Sequence, residues 1–282
     1  MSTKAEICFK MTALVEKFYS LPHREFENAI KLHYKSIFKS YNENKLFFKT
    51  IFKSHRFLLA TLIVNEYYAS EEPLLANVKK NFLDMNMLSG NTISTFFAFL
   101  KITRRIELKT SQHDKRKWVY RITEKGINET YQLINTMTVS LSTLFPEHKI
   151  KELAKKDDFL PHFFRHYKSI VDHQLFYFDM VENIDIFILK DAGHMILLNL
   201  YCNAYKHEDC LIVSIPLAKL ASNCGVSRSH IKRIILEAEE KKLLTYCNQT
   251  NTIRLLPGFI HMFEKYMAYY FASVLIGFNI EA

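Results

Sequence analysis

The sequence predicts a mainly α-helical protein with small β-hairpins, organised as two similar domains in one chain. Apolar residues recur at helical spacing along most of the chain, whereas strand-like alternation is confined to short stretches. Only 6 glycines and 6 prolines occur among 282 residues, which indicates helices joined by short connections. A segment of the second half also repeats the pattern of a segment of the first half at a long, fixed distance.

A charged hairpin is predicted in the first half of the chain. The stretch 117–122 alternates apolar and polar residues, as a half-exposed strand does. Residues 105–108 form its predicted partner strand, and 114–117 form the charged tip between the two. Thr123 caps the helix that follows the hairpin.

Two predicted helices precede this hairpin. Apolar residues have helical spacing over 74–84 and over 89–102, with a predicted turn at 85–88 between them. Ser89 is the predicted N-cap of the second helix. Helix, turn, helix and a two-stranded ribbon, in this order, define a winged helix.

The hairpin also carries a short pattern that resembles the MarR family of bacterial transcription regulators. In that family the wing has an Asp-x-Arg pair, followed at fixed spacing by an apolar residue, a threonine and a glycine. The matching positions here are Asp114, Arg116, Ile122, Thr123 and Gly126. The resemblance covers roughly residues 50–145 and falls within the predicted winged helix. It implies that Arg116 reaches into the DNA minor groove and that Asp114 orients the Arg116 side chain.

A second helix-turn-helix pattern lies at 216–246. Gly225 marks its turn, and Ser227 caps its second helix. A shift of about 138 positions superimposes the two copies, a period that indicates duplication of a whole domain. The shift places Ser89 on Ser227, Ile93 on Ile231 and Arg104 on Lys242.

The predicted domains are 1–145, with N-terminal helices and the MarR-like winged helix, and 146–282, with the second winged helix and flanking interface helices. Apolar stripes predict further helices in the first 40 residues, over 124–145 and 157–180, and over 258–279. The resemblance implies that these are the family's dimerisation helices turned inward. The chain would then form a pseudo-dimer, similar to tandem members of the SarA branch of the family.

The predicted DNA-reading surfaces of the two copies differ. The second hairpin lacks the Asp-x-Arg pair and holds Arg254, but the helix before it begins with basic residues. In the first copy the predicted DNA-contacting residues are Ser89, Asn91, Thr92, Thr95, Arg104, Lys115, Arg116 and Lys117, with Asp114 as the orienting residue. In the second copy they are Ser227, Arg228, Ser229, His230, Lys232 and Arg233. Arg228 is the candidate to pair with guanine. An ordinary solvated face is the competing interpretation of these polar residues.

Charge also favours a polyanionic partner. The formal net charge is +9, and residues 1–145 hold the whole excess, while 146–282 are neutral overall. Residues 101–125 alone carry a net charge of +6. Basic side chains that neutralise phosphates release counterions, so binding of this kind is strongly salt-dependent.

Several classes of function find no support in the sequence. It has no glycine-rich phosphate loop, no His-Glu-x-x-His, no Gly-x-Ser-x-Gly and no zinc-spaced cysteine set, so we expect a non-enzyme without cofactor or metal. Its five cysteines lack Cys-x-x-Cys spacing, and no signal peptide is apparent, so we expect a cytoplasmic protein. The uncharged run Tyr266 to Phe278 is shorter than the roughly 20 residues of a membrane span.

The combined patterns predict a sequence-specific, DNA-binding transcriptional regulator. Its partner would be double-stranded DNA with a two-part site of unequal halves, bound by a monomeric pseudo-dimer or a homodimer. The resemblance also implies that a small aromatic molecule can bind as an effector. Two alternatives stay open. One is a plasmid-type replication initiator with tandem winged helices, and the other is a protein-interaction scaffold with an exposed hydrophobic patch on 258–279.

Overall fold

The computed structural model of the chain describes residues 3–84, 89–176, 179–208 and 210–281. Over this part of the chain the fold is mainly helical with two small antiparallel sheets, which confirms the predicted fold class at that level. The turn predicted at 85–88 lies outside the described residues.

The helices and strands form two consecutive groups along the chain. The first series comprises α1 (Lys4–Ser20), α2 (His23–Glu43), α3 (Lys45–Ile51), α4 (Ser54–Ala69), α5 (Leu75–Asp84), α6 (Gly90–Ile102), β1 (Ile106–Thr110), β2 (Trp118–Ile122) and α7 (Glu124–Leu144). The second comprises α8 (Ile150–Leu153), α9 (Phe159–Asp172), α10 (Asp185–Ile188), α11 (Gly193–Cys202), β3 (Tyr205–His207), β4 (Cys210–Ser214), α12 (Leu217–Cys224), α13 (Arg228–Glu240), β5 (Leu244–Cys247), β6 (Thr252–Leu255) and α14 (Pro257–Gly277).

The chain divides into two compact units. Unit 1 comprises Met1–Leu14, His55–Leu175 and Ala272–Ala282, and unit 2 comprises Val15–Ser54 and Phe176–Phe271. This division differs from the sequential boundary predicted at 145/146, although the two predicted reading segments do fall in different units.

The packing of two helices explains the difference. α2 comes from the start of the chain but packs against α11 within unit 2. α9 comes from the second half, and its Phe164 ring stacks on Tyr68 of α4 within unit 1, with 5.9 Å between ring centroids. Apolar periodicity identifies amphipathic helices but not the partner that each one covers, so a boundary drawn along the sequence could not anticipate this exchange.

In unit 1, α6 and the hairpin share one core. The inner face of α6 buries Ile93, Phe96, Phe97 and Leu100, which have the i, i+3, i+4, i+7 spacing of one helix stripe. Tyr120 of β2 packs edge-on against Phe97 and donates a hydrogen bond of 2.7 Å from its Oη to the Ile63 carbonyl of α4. The hairpin is thereby attached to both helices.

In unit 2, the equivalent helix α13 buries a stripe of purely aliphatic residues, namely Ile231, Ile234, Ile235 and Ala238. Its sheet has four strands in the order β3-β4-β6-β5. β3 and β4 were not predicted from the sequence. β3 has only three residues, too few to show a periodicity, and residues 210–213 of β4 form a continuous apolar run instead of the alternation of a half-exposed strand.

The two segments share detailed geometry at the predicted shift of 138. α6 and α13 each have 13 residues, and their four buried positions coincide under this shift. Ser89 accepts a hydrogen bond from the Thr92 amide at 3.3 Å, and Ser227 accepts one from the His230 amide at 3.2 Å. β1 and β5 start at equivalent residues, and α7 and α14, which follow the two hairpins, each have 21 residues.

The turn after α6 has a counterpart after α13. Arg104 and Lys242, equivalent under the shift, both adopt a left-handed backbone, with φ of 57° and 56°. The carbonyl of the next residue accepts a 3.0 Å hydrogen bond from the amide of the residue just before the following long helix. Thr123 donates to Arg105 in unit 1, and Leu256 donates to Leu243 in unit 2.

Two further sequence predictions can be compared with the structure. The helix predicted over 157–180 ends at Asp172, because Gln174 adopts a left-handed conformation with φ of 53° and the Leu175 amide bonds back to the Ile170 carbonyl. The helix predicted over 258–279 is present as α14, and its apolar residues are buried. No helix in the described part of the chain combines the length and hydropathy needed to cross a bilayer.

A buried ion pair stabilises the corner of unit 1. Arg105 and Glu129 have side chains that are 5% and 15% exposed, and they form two hydrogen bonds of 2.6 Å, from Nε to Oε2 and from Nη2 to Oε1. Leu243 of unit 2 is equivalent to Arg105 under the 138-residue shift, and Met262 is the sixth residue of α14, as Glu129 is the sixth residue of α7; both unit 2 residues are buried. The duplicated position therefore carries a charged pair in one copy and an apolar pair in the other.

We predict that Arg105→Leu or Glu129→Met alone destabilises unit 1 by about 3 to 5 kcal/mol, because each leaves a buried charge facing an apolar side chain. The double variant, which reproduces the pair of unit 2, should recover most of this loss. Urea unfolding followed by the fluorescence of Trp118, the only tryptophan, measures both effects. If the double variant loses as much unfolding free energy as the two single variants together, the prediction is contradicted.

Unit 2 contains a buried histidine cluster. His33 of α2 and His194 of α11 approach to 3.4 Å between their Nε2 atoms, and His194 Nδ1 lies 2.7 Å from Tyr266 Oη of α14. Burial, with a smaller contribution from His33, holds the pKa of His194 well below its usual value.

This pKa shift predicts the direction of a pH effect. The folded state disfavours protonation of His194, so its contribution to stability is present above the unfolded pKa of about 6.5 and is lost as pH falls toward the lower folded pKa. Below pH 6.5 the wild-type chain should lose up to about 1.4 kcal/mol of stability per pH unit through this group. Unfolding followed by circular dichroism from pH 7.5 to 5 should show a shallower slope for His194→Gln. The exposed-site variant His113→Gln is the control, and equal slopes for all three proteins would contradict the assignment.

Candidate nucleic-acid interface

The tip of the unit 1 hairpin is a polar turn between β1 and β2. Ser111 Oγ accepts hydrogen bonds from the amides of His113 and Asp114 at 3.1 and 3.2 Å. The Lys117 amide donates to the Asp114 carbonyl at 2.8 Å, and the Ser111 amide donates to the Lys117 carbonyl at 2.9 Å. The backbone of the tip is therefore held by its own hydrogen bonds, and its long basic side chains are left on the surface.

Asp114 is positioned to orient Arg116. Its Oδ1 accepts hydrogen bonds from both the amide and the Nε of Arg116 at 3.1 Å, and its Oδ2 accepts one from Nη2 at 3.4 Å. The hydrogen bonds from Arg116 lower the pKa of the Asp114 carboxyl group below its usual value. The Arg116 side chain is nevertheless 90% exposed, and Lys115 and Lys117 are exposed on either side of it.

The remaining residues of the short hairpin pattern have structural roles. Thr123 Oγ1 donates a 2.8 Å hydrogen bond to the Arg104 carbonyl and accepts one from the Gly126 amide at 3.3 Å. A Cβ on Gly126 would lie only 2.7 Å from both the Arg105 carbonyl oxygen and the Ile122 side chain, so only glycine fits there. The pattern thus combines a half-buried aspartate and an exposed arginine with the residues that attach the hairpin to α6 and α7.

The strand that leaves the tip differs in one respect from the predicted alternation. Tyr120 and Ile122 are buried as predicted, but Trp118 is 49% exposed. It is the first residue of β2, paired with the last residue of β1, Thr110, so it lies at the open end of the sheet.

The first turns of α6 present small polar side chains. Ser89, Asn91 and Thr95 are exposed, while Thr92 is half-buried. Thr95 Oγ1 donates to the Asn91 carbonyl at 2.9 Å, and the hydroxyl groups of Ser89 and Thr92 lie 2.9 Å apart. These hydroxyls therefore also serve the helix itself, as caps and back-bonding groups. At the other end of α6, Arg104 is exposed.

The first turns of α13 present basic side chains. Ser227, Arg228, Ser229, Lys232 and Arg233 are exposed, on the side of the helix opposite its buried aliphatic stripe. The Ser227 cap also lies 3.0 Å from the Ser229 hydroxyl. A helix with one aliphatic face and one basic face matches the amphipathic pattern that the sequence predicted.

His230 has a different environment from its neighbours. Its Nε2 lies 3.1 Å from the Asp191 carbonyl oxygen, and its Nδ1 lies 3.3 Å from Arg233 Nη2. Burial is the main cause of its lowered pKa, which favours the neutral ring. Nε2 then donates to the carbonyl and Nδ1 accepts from Arg233, so both ring nitrogens are engaged within the unit. The structure thus gives His230 a part in positioning Arg233.

Several basic residues that were not among the predicted DNA-contacting residues lie near α13. α3 begins beside the turn between α12 and α13, where Lys45 Nζ donates a 2.9 Å hydrogen bond to the Ser222 carbonyl. Lys53 lies 3.5 Å from the Asp191 carboxylate. The i, i+4 spacing of Lys45, Lys49 and Lys53 was visible in the sequence, but only the fold brings this part of the chain beside α13.

The net charge is shared between the folded units. Unit 1 has 20 Lys and Arg residues against 15 Asp and Glu, and unit 2 has 18 against 14. The neutral character assigned to the second half of the sequence does not apply to unit 2, because the basic segment Val15–Ser54 belongs to it. Both units are therefore positively charged overall.

The described residues contain no cluster of three or more histidine, cysteine or acidic side chains with the proximity that a metal ion requires. The chain matches no protein-family model, no curated protein and no solved structure.

Proposed function

We propose that this protein is a sequence-specific DNA-binding transcriptional regulator whose two winged helices are not identical. The observation that carries the proposal is the repeated geometry. Two helices of equal length, with equivalent caps and left-handed exits, bury the same four positions and expose polar or basic residues at the same turns. A buried stripe is required by the core, but repetition of the whole exposed arrangement is typical of a duplicated reading element.

The hairpins support the winged-helix interpretation. In unit 2, β6 lies between β5 and β4, the strand that precedes α12. In unit 1 the residue before α5, Leu74, forms an isolated antiparallel bridge to Val119 of β2. Each hairpin thus pairs with the segment that leads into the first helix of its helix pair, so the two helices and the hairpin of each unit form one body.

In this proposal the two units read DNA in different ways. Unit 1 inserts Arg116 into the minor groove, since a narrow groove attracts a guanidinium group and the Asp114 contacts restrict its orientation. Its helix α6 offers Asn91 and Thr95 to base edges. Unit 2 reads mainly through α13, with Arg228 available for a bidentate contact to guanine.

The alternatives are less well supported by the structure. A protein-interaction scaffold would expose an apolar patch on 258–279, whereas Phe263, Met267, Phe271 and Leu275 are at most 1% exposed. A replication initiator remains the nearer alternative because it would use the same winged helices. The hairpin resemblance to MarR regulators favours regulation, and the small aromatic effector implied by that resemblance belongs to the same proposal.

Selection from a random duplex library at several salt concentrations tests the proposal. The parent chain should enrich a two-part site with unequal halves, and its binding constant should fall steeply with salt. Arg116→Ala and Arg228→Ala should each lower affinity for the enriched site by about 1 to 3 kcal/mol. Enrichment of iterated copies of one element would indicate an initiator. No enrichment, with both variants behaving like the parent chain, would overturn the DNA-reading function.

Substitution of Asp114 distinguishes an orienting role from an effect of net charge alone, because the two predict opposite changes in DNA affinity. Removal of an acidic side chain from a DNA-binding surface should strengthen binding if only net charge matters. We predict instead that Asp114→Ala weakens binding to the selected site, because Arg116 loses the carboxylate that restricts its side chain. The control is Glu107→Ala, which removes one exposed acidic side chain from β1 of the same hairpin. Equal strengthening by both variants would contradict the orienting role.

A further inference from the structure

We propose that a lysine row, formed by Lys45 and Lys49 of α3 and by Lys53 between α3 and α4, binds the DNA backbone phosphates beside the half-site that α13 reads. This inference rests on the proposed function and extends it to residues far from α13 in the sequence. The row would supply unit 2 with the phosphate contacts that its short hairpin does not offer.

α2 and α3 are attached to the turn between α12 and α13. Tyr41 Oη donates a 2.6 Å hydrogen bond to the Cys224 carbonyl, and Lys45 Nζ donates one of 2.9 Å to the Ser222 carbonyl. Gly225, left-handed with φ of 63°, lies so close that a Cβ on it would be 3.5 Å from the Lys45 side chain. The start of the row is therefore fixed against the turn that leads into α13.

The other end of the row, at Lys53, also contacts a segment that packs against α13. Lys53 Nζ lies 3.5 Å from Asp191 Oδ1, and the carbonyl of the same Asp191 accepts the hydrogen bond from His230 in the first turn of α13. His230 in turn contacts Arg233. The row thus begins at the turn before α13 and ends at the loop that contacts the first turn of α13.

Lys49 occupies the middle of the row. It lies one helical turn after Lys45, so the two side chains project from the same face of α3. The carboxylate of Asp191 partly neutralises Lys53, and the Ser222 carbonyl uses one of the three Lys45 donors. A phosphate can still be bound by the remaining donors of Lys45 and by Lys49.

Groove geometry explains why phosphates are the expected partner. A reading helix in the major groove, which is about 12 Å wide, has a phosphate backbone on each side of it. Basic side chains on an element that packs beside the first turn of the helix therefore face one of these backbones. The segment Val15–Ser54 has 8 basic against 4 acidic residues, so its charge favours this role.

The two units then differ in how they hold the backbone. The hairpin of unit 1 has three exposed basic residues at its tip, Lys115 to Lys117. The tip of the unit 2 hairpin, between β5 and β6, carries Asn248, Gln249, Thr250 and Asn251 and no basic residue. Phosphate contacts of unit 2 should come instead from α3.

The test compares Lys49→Gln with Lys155→Gln in the full chain on the selected duplex. Lys155 is an exposed lysine that follows α8 in unit 1, so both variants remove one positive charge. We expect Lys49→Gln to reduce the magnitude of the slope of log K against log salt by about 0.9, without changing the preferred bases. Lys155→Gln should keep the parent slope, and Lys49→Arg should restore it.

The outcomes separate this inference from the proposed function. If the parent binds the duplex with a steep salt slope but Lys49→Gln keeps that slope, the row is overturned and the DNA-reading function stands. Equal reductions for Lys49→Gln and Lys155→Gln would also overturn the row, because net charge alone would explain them. If the parent selects no duplex, or if single-stranded RNA competes as well as the selected DNA, both the row and the proposed function are overturned.

Discussion

The left-handed turn that follows α6 in unit 1 and α13 in unit 2 is the constraint on which the rest of each unit depends. A non-glycine residue in the left-handed region costs about 1 kcal/mol or more, so it persists only where the surrounding contacts impose it. Arg104 and Lys242 both adopt it, and the next residue of each accepts a backbone hydrogen bond from the start of α7 or α14. In each copy the helix before the turn, the hairpin and the following long helix are thereby held in one fixed arrangement. The exposed residues of the two copies can therefore differ while the helices and the hairpin keep the same arrangement.

The two copies satisfy this constraint with different chemistry. Unit 1 uses the buried Arg105–Glu129 pair and the Thr123 hydroxyl, whereas unit 2 has Leu243 and Met262 at the positions of that pair. The exposed surfaces differ as well, since unit 1 has an arginine-bearing hairpin and unit 2 has a basic helix. A chain that carries both copies needs no symmetric site, which is the physical reason to expect two unequal half-sites.

The local elements were predictable from the sequence, but their partners were not. The stripes of α6 and α13, the caps Ser89 and Ser227 and the 138-residue shift all depend on neighbouring residues, and the structure has each of them. The Asp114–Arg116 contact was implied by the resemblance to the MarR hairpin, through an Asp-x-Arg pair only three residues long. By contrast, the placement of α2 and α3 in unit 2 depends on contacts such as Tyr41 to Cys224, across 183 positions. The role of His230 and the proximity of Lys45 depend on the same long-range packing, so no local pattern indicated them.

The decisive measurement combines a substitution in one unit of the protein with a change in one half of the DNA site. Affinities would be measured for Arg116→Ala and Arg228→Ala on the selected site and on two versions with one half or the other scrambled. We expect Arg116→Ala to weaken binding only while one half is intact, and Arg228→Ala to do so only while the other half is intact. Coupling of both residues to the same half, or of neither residue to any half, would contradict two separate and non-identical DNA-reading units in one chain.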